Sequence, residues 1–349
     1  MATARLVAEL DVTSVYGDIG FGTRVMYRGN TILASAPNFA PNTGSVFRLL
    51  FNSADETLTL GPVMSDGVNG ENHGANFGLS EDGRIGIASR RGVFVYQTSG
   101  DNVNSQYIVG DRILDTTRTL GLYGIDFSTG DMMAYADAPD DDIFQSRVVI
   151  AQTKTGGFNI RERIGRGVIR PDLFQYDTST DRYAMMLFQY GPGPSIAPTL
   201  FDNQDGVWSR GFPLDNSLYG IISNDVYNAS GSGTVVAAID NDSDENFFMV
   251  SAIDPDTGAT VDIGTTAPSS TATNGVITYI DSDGADYAYV RFIASGPTYY
   301  VNVSTGIGLV GNFAEGPVEI TSVSVAPFQD KYHVIVGKPS ENKVYLYEV

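Results

Sequence analysis

Apolar residues along this chain come in short runs, rich in Val, Ile, Tyr and Phe, broken by glycine, proline and acidic turns. Val93 to Tyr96 (VFVY), Tyr287 to Phe292 (YAYVRF), Tyr332 to Val336 (YHVIV) and Val344 to Tyr347 (VYLY) are β-branched or aromatic and too short for helices. No stretch carries the 3.6-residue apolar period of a convincing amphipathic helix. The pattern predicts an all-β chain of many short strands joined by tight turns.

The strands repeat. One unit runs glycine or turn, strand, polar turn, strand of small and apolar residues, second turn, strand. The clearest copies are Phe21 to Phe51, Phe77 to Tyr96 and Tyr123 to Ala151. Weaker ones are Phe174 to Phe201, Ala237 to Asp254, Tyr279 to Val303 and Val325 to Val349. A further strand is expected after each copy, marked by Leu58, Tyr107, Ile160, Trp208, Thr260 and Ile307, at spacings of about 47 to 53 residues. The member missing after the last copy is found one period before Leu58, in Ala4 to Leu10. A blade of such an array cannot bury its faces alone. The expectation is a single domain over residues 1–349: a seven-bladed β-propeller of four-stranded antiparallel blades, its ring closed by the N-terminal strand joining the C-terminal blade.

Composition narrows the chemistry. The 349 residues are 42% hydrophobic, enough for a large core. Their net charge of −20 opposes binding to a phosphate backbone, so no nucleic-acid partner is expected. Cysteine is absent, which excludes disulfides, thiolate nucleophiles and Cys-ligated metals. The start, MATARLVAELDV, lacks the apolar run of a secretory signal, and no run approaches the roughly 18 residues of a membrane helix. The expectation is synthesis in the cytoplasm without a signal peptide, and no membrane span.

The first copy carries Phe21 and Gly22, then Ser35, Ala36 and Pro37, then Gly44 to Phe47. It resembles the FG-GAP repeat of integrin-α-like seven-bladed β-propellers. The second copy is similar through Phe77, Gly78 and Ser80 to Gly83, and the third through Ala136 to Pro139. The resemblance implies calcium bound in D-x-D-x-D-G-type turns. Its nearest matches are Asp281, Asp283 and Asp286; Asp240, Asp242 and Asp244; and Asp126 to Asp131. Three carboxylates around a glycine turn supply part of the six to eight oxygens that Ca²⁺ takes. The same residues also suit an ordinary solvated turn, because Asp bonds its own backbone and Gly tolerates positive φ.

Other chemistry is sparse. His73 lies in a glycine-rich segment and His333 inside YHVIV, so a multi-histidine metal centre is not expected. No G-x-S-x-G nucleophile elbow occurs. ADAPDDD (Ala136 to Asp142) reads as a solvated charge cluster, and Tyr190, Tyr299 and Tyr300 are candidate stacking faces for a sugar or a protein side chain.

The leading expectation is a non-enzymatic binding or assembly protein, of the phage-type virion structural or host-attachment kind. Its partner would be a protein or glycan surface, other virion proteins or copies of itself. The alternatives are a calcium-supported adhesin-like module and a glycan-active enzyme using axial carboxylates, since glycosidases need only two acids about 5 to 10 Å apart.

Overall fold

The computed structural model describes residues 5–39, 44–65, 73–74, 76–80, 83–89, 92–99, 102–108, 118–127, 132–139, 145–154, 157–164, 168–177, 182–190, 196–204, 207–213, 226–229, 234–241, 247–253, 260–265, 272–280, 286–293, 298–305, 311–314, 322–329 and 331–348. Among these, regular structure is strand apart from one helical turn, α1 (Thr13–Tyr16), a 3-10 turn at Pro339–Glu341 and a 3-10 residue at Gln145. The chain divides into two compact units.

The unit of residues 4–165 and 318–349 opens with β1 (Arg5–Asp11). Three four-stranded meanders follow. The first is β2 (Val25–Arg28), β3 (Thr31–Ala36), β4 (Ser45–Asn52) and β5 (Thr57–Met64). The second is β6 (Asn76–Leu79), β7 (Arg84–Ser89), β8 (Gly92–Ser99) and β9 (Asn102–Ile108). The third is β10 (Arg118–Phe127), β11 (Met132–Pro139), β12 (Arg147–Lys154) and β13 (Gly157–Ile164). The unit of residues 166–317 holds three more meanders. They are β14 (Val168–Asp177), β15 (Arg182–Tyr190), β16 (Ile196–Gln204) and β17 (Val207–Pro213); β18 (Val226–Ala229), β19 (Thr234–Asn241), β20 (Phe247–Ile253) and β21 (Thr260–Thr265); and β22 (Ala272–Ile280), β23 (Asp286–Ile293), β24 (Thr298–Thr305) and β25 (Gly311–Ala314).

The last strands, β26 (Ser322–Phe328), β27 (Lys331–Lys338) and β28 (Lys343–Glu348), form the seventh sheet in the order β1-β28-β27-β26. Its fourth position is therefore filled by β1, antiparallel to β28 with Arg5 opposite Glu348 and Asp11 opposite Lys343. A register shift separates Leu6 from Ala8.

Why the middle strands lack a clean polar alternation is visible at β3, where all six residues are buried. Ile32, Ala34 and Ala36 pack with Phe47, Leu49, Ile335, Val344 and Leu346, toward the sheet of β1. Leu33 packs the other way, with Val46, Phe77, Leu79, Ile85 and Ile87. A strand covered on both faces reads as a continuous apolar run instead of an alternating one. The third meander repeats the arrangement, with Met133, Tyr135, Val149 and Ala151 against Ala88, Val93 and Val95.

The first strand of each meander is an edge, and an edge leaves backbone groups unpaired. Beside β2, two serines of β26 take up those groups. Ser324 Oγ accepts from Tyr27 N at 2.9 Å and donates to Tyr27 O at 3.4 Å. Ser322 Oγ does the same at Val25, at 3.0 and 3.3 Å. The serines stand two apart because strand side chains alternate, so both fall on one face. Ser324→Ala leaves a buried N–H unbonded and should cost about 1–2 kcal/mol in urea unfolding. Ser322→Ala, at a half-buried bond, should cost less. An unchanged midpoint for Ser324→Ala would show that the edge of β2 is satisfied by other means.

A second junction device recurs. Gly22 N donates to Ser35 O at 2.9 Å and Gly74 N to Ala88 O at 3.0 Å, each residue having positive φ just before the first strand of its meander. Phe21 and His73, the residues before them, are both fully buried. Each junction packs against the residue that precedes a third strand: Asn342 before β28 and Gly44 before β4, again both with positive φ. Phe21-Gly22 thus corresponds in place to His73-Gly74. Phe77-Gly78, matched to it by sequence, instead lies inside β6, with Gly78 opposite Gly86. What recurs physically is the positive-φ glycine, and the buried ring ahead of it differs in type.

Candidate functional site

In an antiparallel meander the first-to-second turn and the second-to-third turn lie at opposite ends of the sheet, which sorts the sequence candidates. The connection holding Asp281 and Asp283 joins β22 to β23, a first-to-second turn, and Asp286 opens β23 opposite Thr305. Asp126, in β10 opposite Ala134, precedes a turn of the same kind. Asp240 lies in β19 opposite Phe248, and the connection holding Asp242 and Asp244 joins β19 to β20, a second-to-third turn. Asp240 therefore lies at the opposite end of its sheet from the end that the Asp126 and Asp281 turns occupy in theirs, although all three match the same type of acidic turn. Asp242, Asp244, Asp281 and Asp283 lie outside the described residues. Among the described residues no cluster of three or more His, Asp or Glu is placed to hold a metal.

Tyr190 is the last residue of β15, opposite Ile196, and closes a second-to-third turn. Tyr299 and Tyr300 are strand residues of β24, not loop residues: Tyr299 lies between Phe292 and Phe313, and Tyr300 between Arg291 and Asn312. They follow the connection from β23, also a second-to-third turn. Arg90, Arg91 and the acids after Pro139 fall on connections of this kind too. One class of turn thus holds the acids after Asp240, the acids after Pro139 and the arginine pair, and is flanked by the tyrosines in the strands beside it.

Both histidines are interior. His333 stacks on Phe328 with centroids 4.2 Å apart and meets Phe51 edge-on at 5.2 Å. Burial lowers its pKa, and Arg5 and Lys331 act in the same direction against the opposing Glu348. His73 meets Phe94 edge-on at 5.0 Å, and burial pushes its pKa down to about 3. Their place is in the apolar packing between strands.

A further group escaped the sequence reading. Arg5 on β1 bonds Glu56 at 2.8 Å and Glu348 at 3.0 Å, and Lys331 bonds Glu348 at 2.7 Å. At the other end of β1, Lys343 holds Glu9 at 2.7 Å and Asp11 at 3.6 Å. Glu56 holds the Arg5 pKa up, and Lys331 holds that of Glu348 down. The available signal was the one-period offset that sets Arg5 beside the turn before Leu58.

No protein-family model and no curated protein matches the chain. Solved structures do. Saccharomyces cerevisiae Sqt1 is similar at 10% identity and TM-score 0.59, over the full length of both chains. The β-propeller domain of Myceliophteria thermophila Cps50 (Swd1) is similar at 8% identity and TM-score 0.63, over 99% of each. An oligogalacturonate lyase in complex with manganese is similar at 10% and 0.57, over 100% of this chain and 98% of its own. At such identities the likeness carries the fold alone: the chain is all-β with a β-propeller architecture.

Proposed function

We propose that the seven sheets are the blades of one ring closed by β1. In this reading the protein is a non-enzymatic binding or assembly component, such as a virion structural or host-attachment protein, that holds a protein or glycan through its second-to-third turns. The observation that supports it is the sorting of the turns: the arginine pair and two acidic runs fall on one class of connection across several sheets, and the tyrosines lie in the strands that flank it. Aromatic and arginine side chains are the groups that dominate binding surfaces, while flanking acids repel wrong partners. The two buried histidines leave the imidazoles to packing.

Changing Tyr190 and Tyr299 together to alanine should weaken binding to purified particles or host cells at least tenfold with an unchanged circular dichroism spectrum. Asp281→Asn with Asp283→Asn, at the other end of its sheet, should leave binding intact. The reverse outcome would move the partner to the first-to-second turns. Recovery of the protein in fixed stoichiometry from purified particles tests the virion placement.

A further inference from the structure

We infer that the edge of β28 covered by β1 is a strand-acceptor site and that a second copy of this chain can fill it with its own β1. The inference rests on the β1–β28 pairing and stands apart from the proposed function.

Three observations carry it. First, the grip of β1 is mostly superficial. Arg5, Leu6, Glu9 and Asp11 are exposed, and only Val7 and Ala8 are buried, at 9% and 6% exposure. The rest of its hold is Leu10, partly buried against the core cluster that includes Ala8, together with backbone pairing and the surface ion pairs to Glu56, Glu348 and Lys343, which salt screens. Second, the acceptor strand is also held along its other edge. Val344, Tyr345, Leu346 and Tyr347 are all buried, and β27 pairs along the opposite edge of β28. Third, a hinge is present. α1 has no buried residue, and Gly17 at φ 71° has open space around the Cβ position. On one side of this hinge Val12 is buried and donates its N–H to Asn342 O; on the other the chain is fixed again at Asp18, which accepts from Asn342 Nδ2, and at Ile19 and Phe21, whose N–H groups donate to Asn342 Oδ1. Thr13 to Asp18, drawn out, spans about 20 Å. Unwinding it costs one helical turn, the bonds of Thr13 Oγ1 to Glu341 O and of Asn342 Nδ2 to Asp18, and the ring contacts of Tyr16 with Phe39 and Phe47.

The acceptor asks for a particular strand. It needs a cation opposite Glu348 within reach of Glu56, two small apolar residues at the register shift, and carboxylates opposite Tyr345 and Lys343. β1 supplies each of these, so a second copy is the fitting donor. Within one chain β1 is present at high effective concentration. Exchange is therefore a high-concentration or refolding event, the ordinary condition for swapping a strand through a hinge.

Because the chain has no cysteine, the exchange can be trapped. One copy carries Asp11→Cys and another Lys343→Cys, positions that face each other across β1 and β28. The two are mixed, refolded together at high concentration and oxidised, and the disulfides are mapped by mass spectrometry. Exchange predicts the mixed disulfide in several-fold excess over both same-residue disulfides. A statistical mixture of the three disulfides would overturn it. As a second measurement without substitutions, isotopically heavy and light wild-type chains refolded together at high concentration should give mixed dimers by native mass spectrometry. Monomer alone would overturn it equally.

Discussion

Asn342→Ala is expected to destabilise the protein by about 4 kcal/mol, enough to remove a large part of the margin of an ordinary domain. Asn342 stands at φ 54° between the 3-10 turn and β28. Its Oδ1 accepts from Ile19 N at 3.0 Å and Phe21 N at 3.2 Å, and its Nδ2 donates to Asp18 at 3.2 Å. The side chain thus ties the entrance of one meander to the last sheet. Alanine leaves two buried N–H groups unbonded, at about 1–3 kcal/mol each, and adds about 1 kcal/mol for a left-handed residue with a Cβ. Asn342→Gly separates the two effects: it restores the backbone preference without the bonds and should recover only the smaller part. Equal unfolding midpoints for alanine and the native residue would mean that water replaces the amide.

Acid is expected to weaken the fold through His73 before it titrates the carboxylates. An unfolded histidine protonates near pH 6.5, whereas buried His73 resists until about pH 3. Between those values the unfolded chain binds the extra proton, so stability is full above pH 6.5 and falls as the pH drops. At pH 4 the loss from this one residue is about 3 kcal/mol. His73→Phe tests it without emptying the site, because Phe21 occupies the corresponding place one meander earlier. Between pH 7.5 and pH 4, wild type should lose about 3 kcal/mol more than the variant. Parallel losses would assign the acid sensitivity elsewhere. His333 acts with the same sign, since burial lowers its pKa too, and remains in the variant. Glu348 adds a later loss: Lys331 holds its pKa down, so its contribution fades only as the pH falls through the carboxylate range.

The architecture was legible because turn chemistry and apolar runs recur at a fixed period. Leu58, Tyr107, Ile160, Trp208 and Thr260 fall in β5, β9, β13, β17 and β21, the fourth strands they were chosen to mark. Ile307 falls outside the described residues, and β25 begins at Gly311. Fourth strands are edges that pack less on their neighbours, so their residues are weakly constrained and the marker drifts. The match of Phe77-Gly78 to Phe21-Gly22 followed letters where geometry follows φ. At the corresponding junction His73 serves as the buried ring, and a histidine gives no apolar signal. The Asp240 turn was grouped with Asp281 by composition, although strand order within the sheet decides which end a turn occupies. The ion pairs of β1 were hidden for a different reason: Arg5 reaches Glu56, 51 residues on, and Glu348, 343 residues on, and Glu9 lies 334 residues from Lys343, separations that no local pattern records.

The antiparallel register of β1 on β28 has a mechanical meaning. Arg5, near one end of the chain, lies opposite Glu348, near the other. Tension applied between those two residues pulls across the ladder instead of along it. The backbone bonds are then loaded one after another, as a zipper is opened, and the resisting force is that of a single rung at a time. The first rung under load carries the Arg5–Glu348–Lys331 cluster, so the force needed to start peeling is set by ion pairs and falls with added salt. Tension applied at Asp11 and Glu348 would load the same strands lengthwise, in shear, and meet many rungs at once.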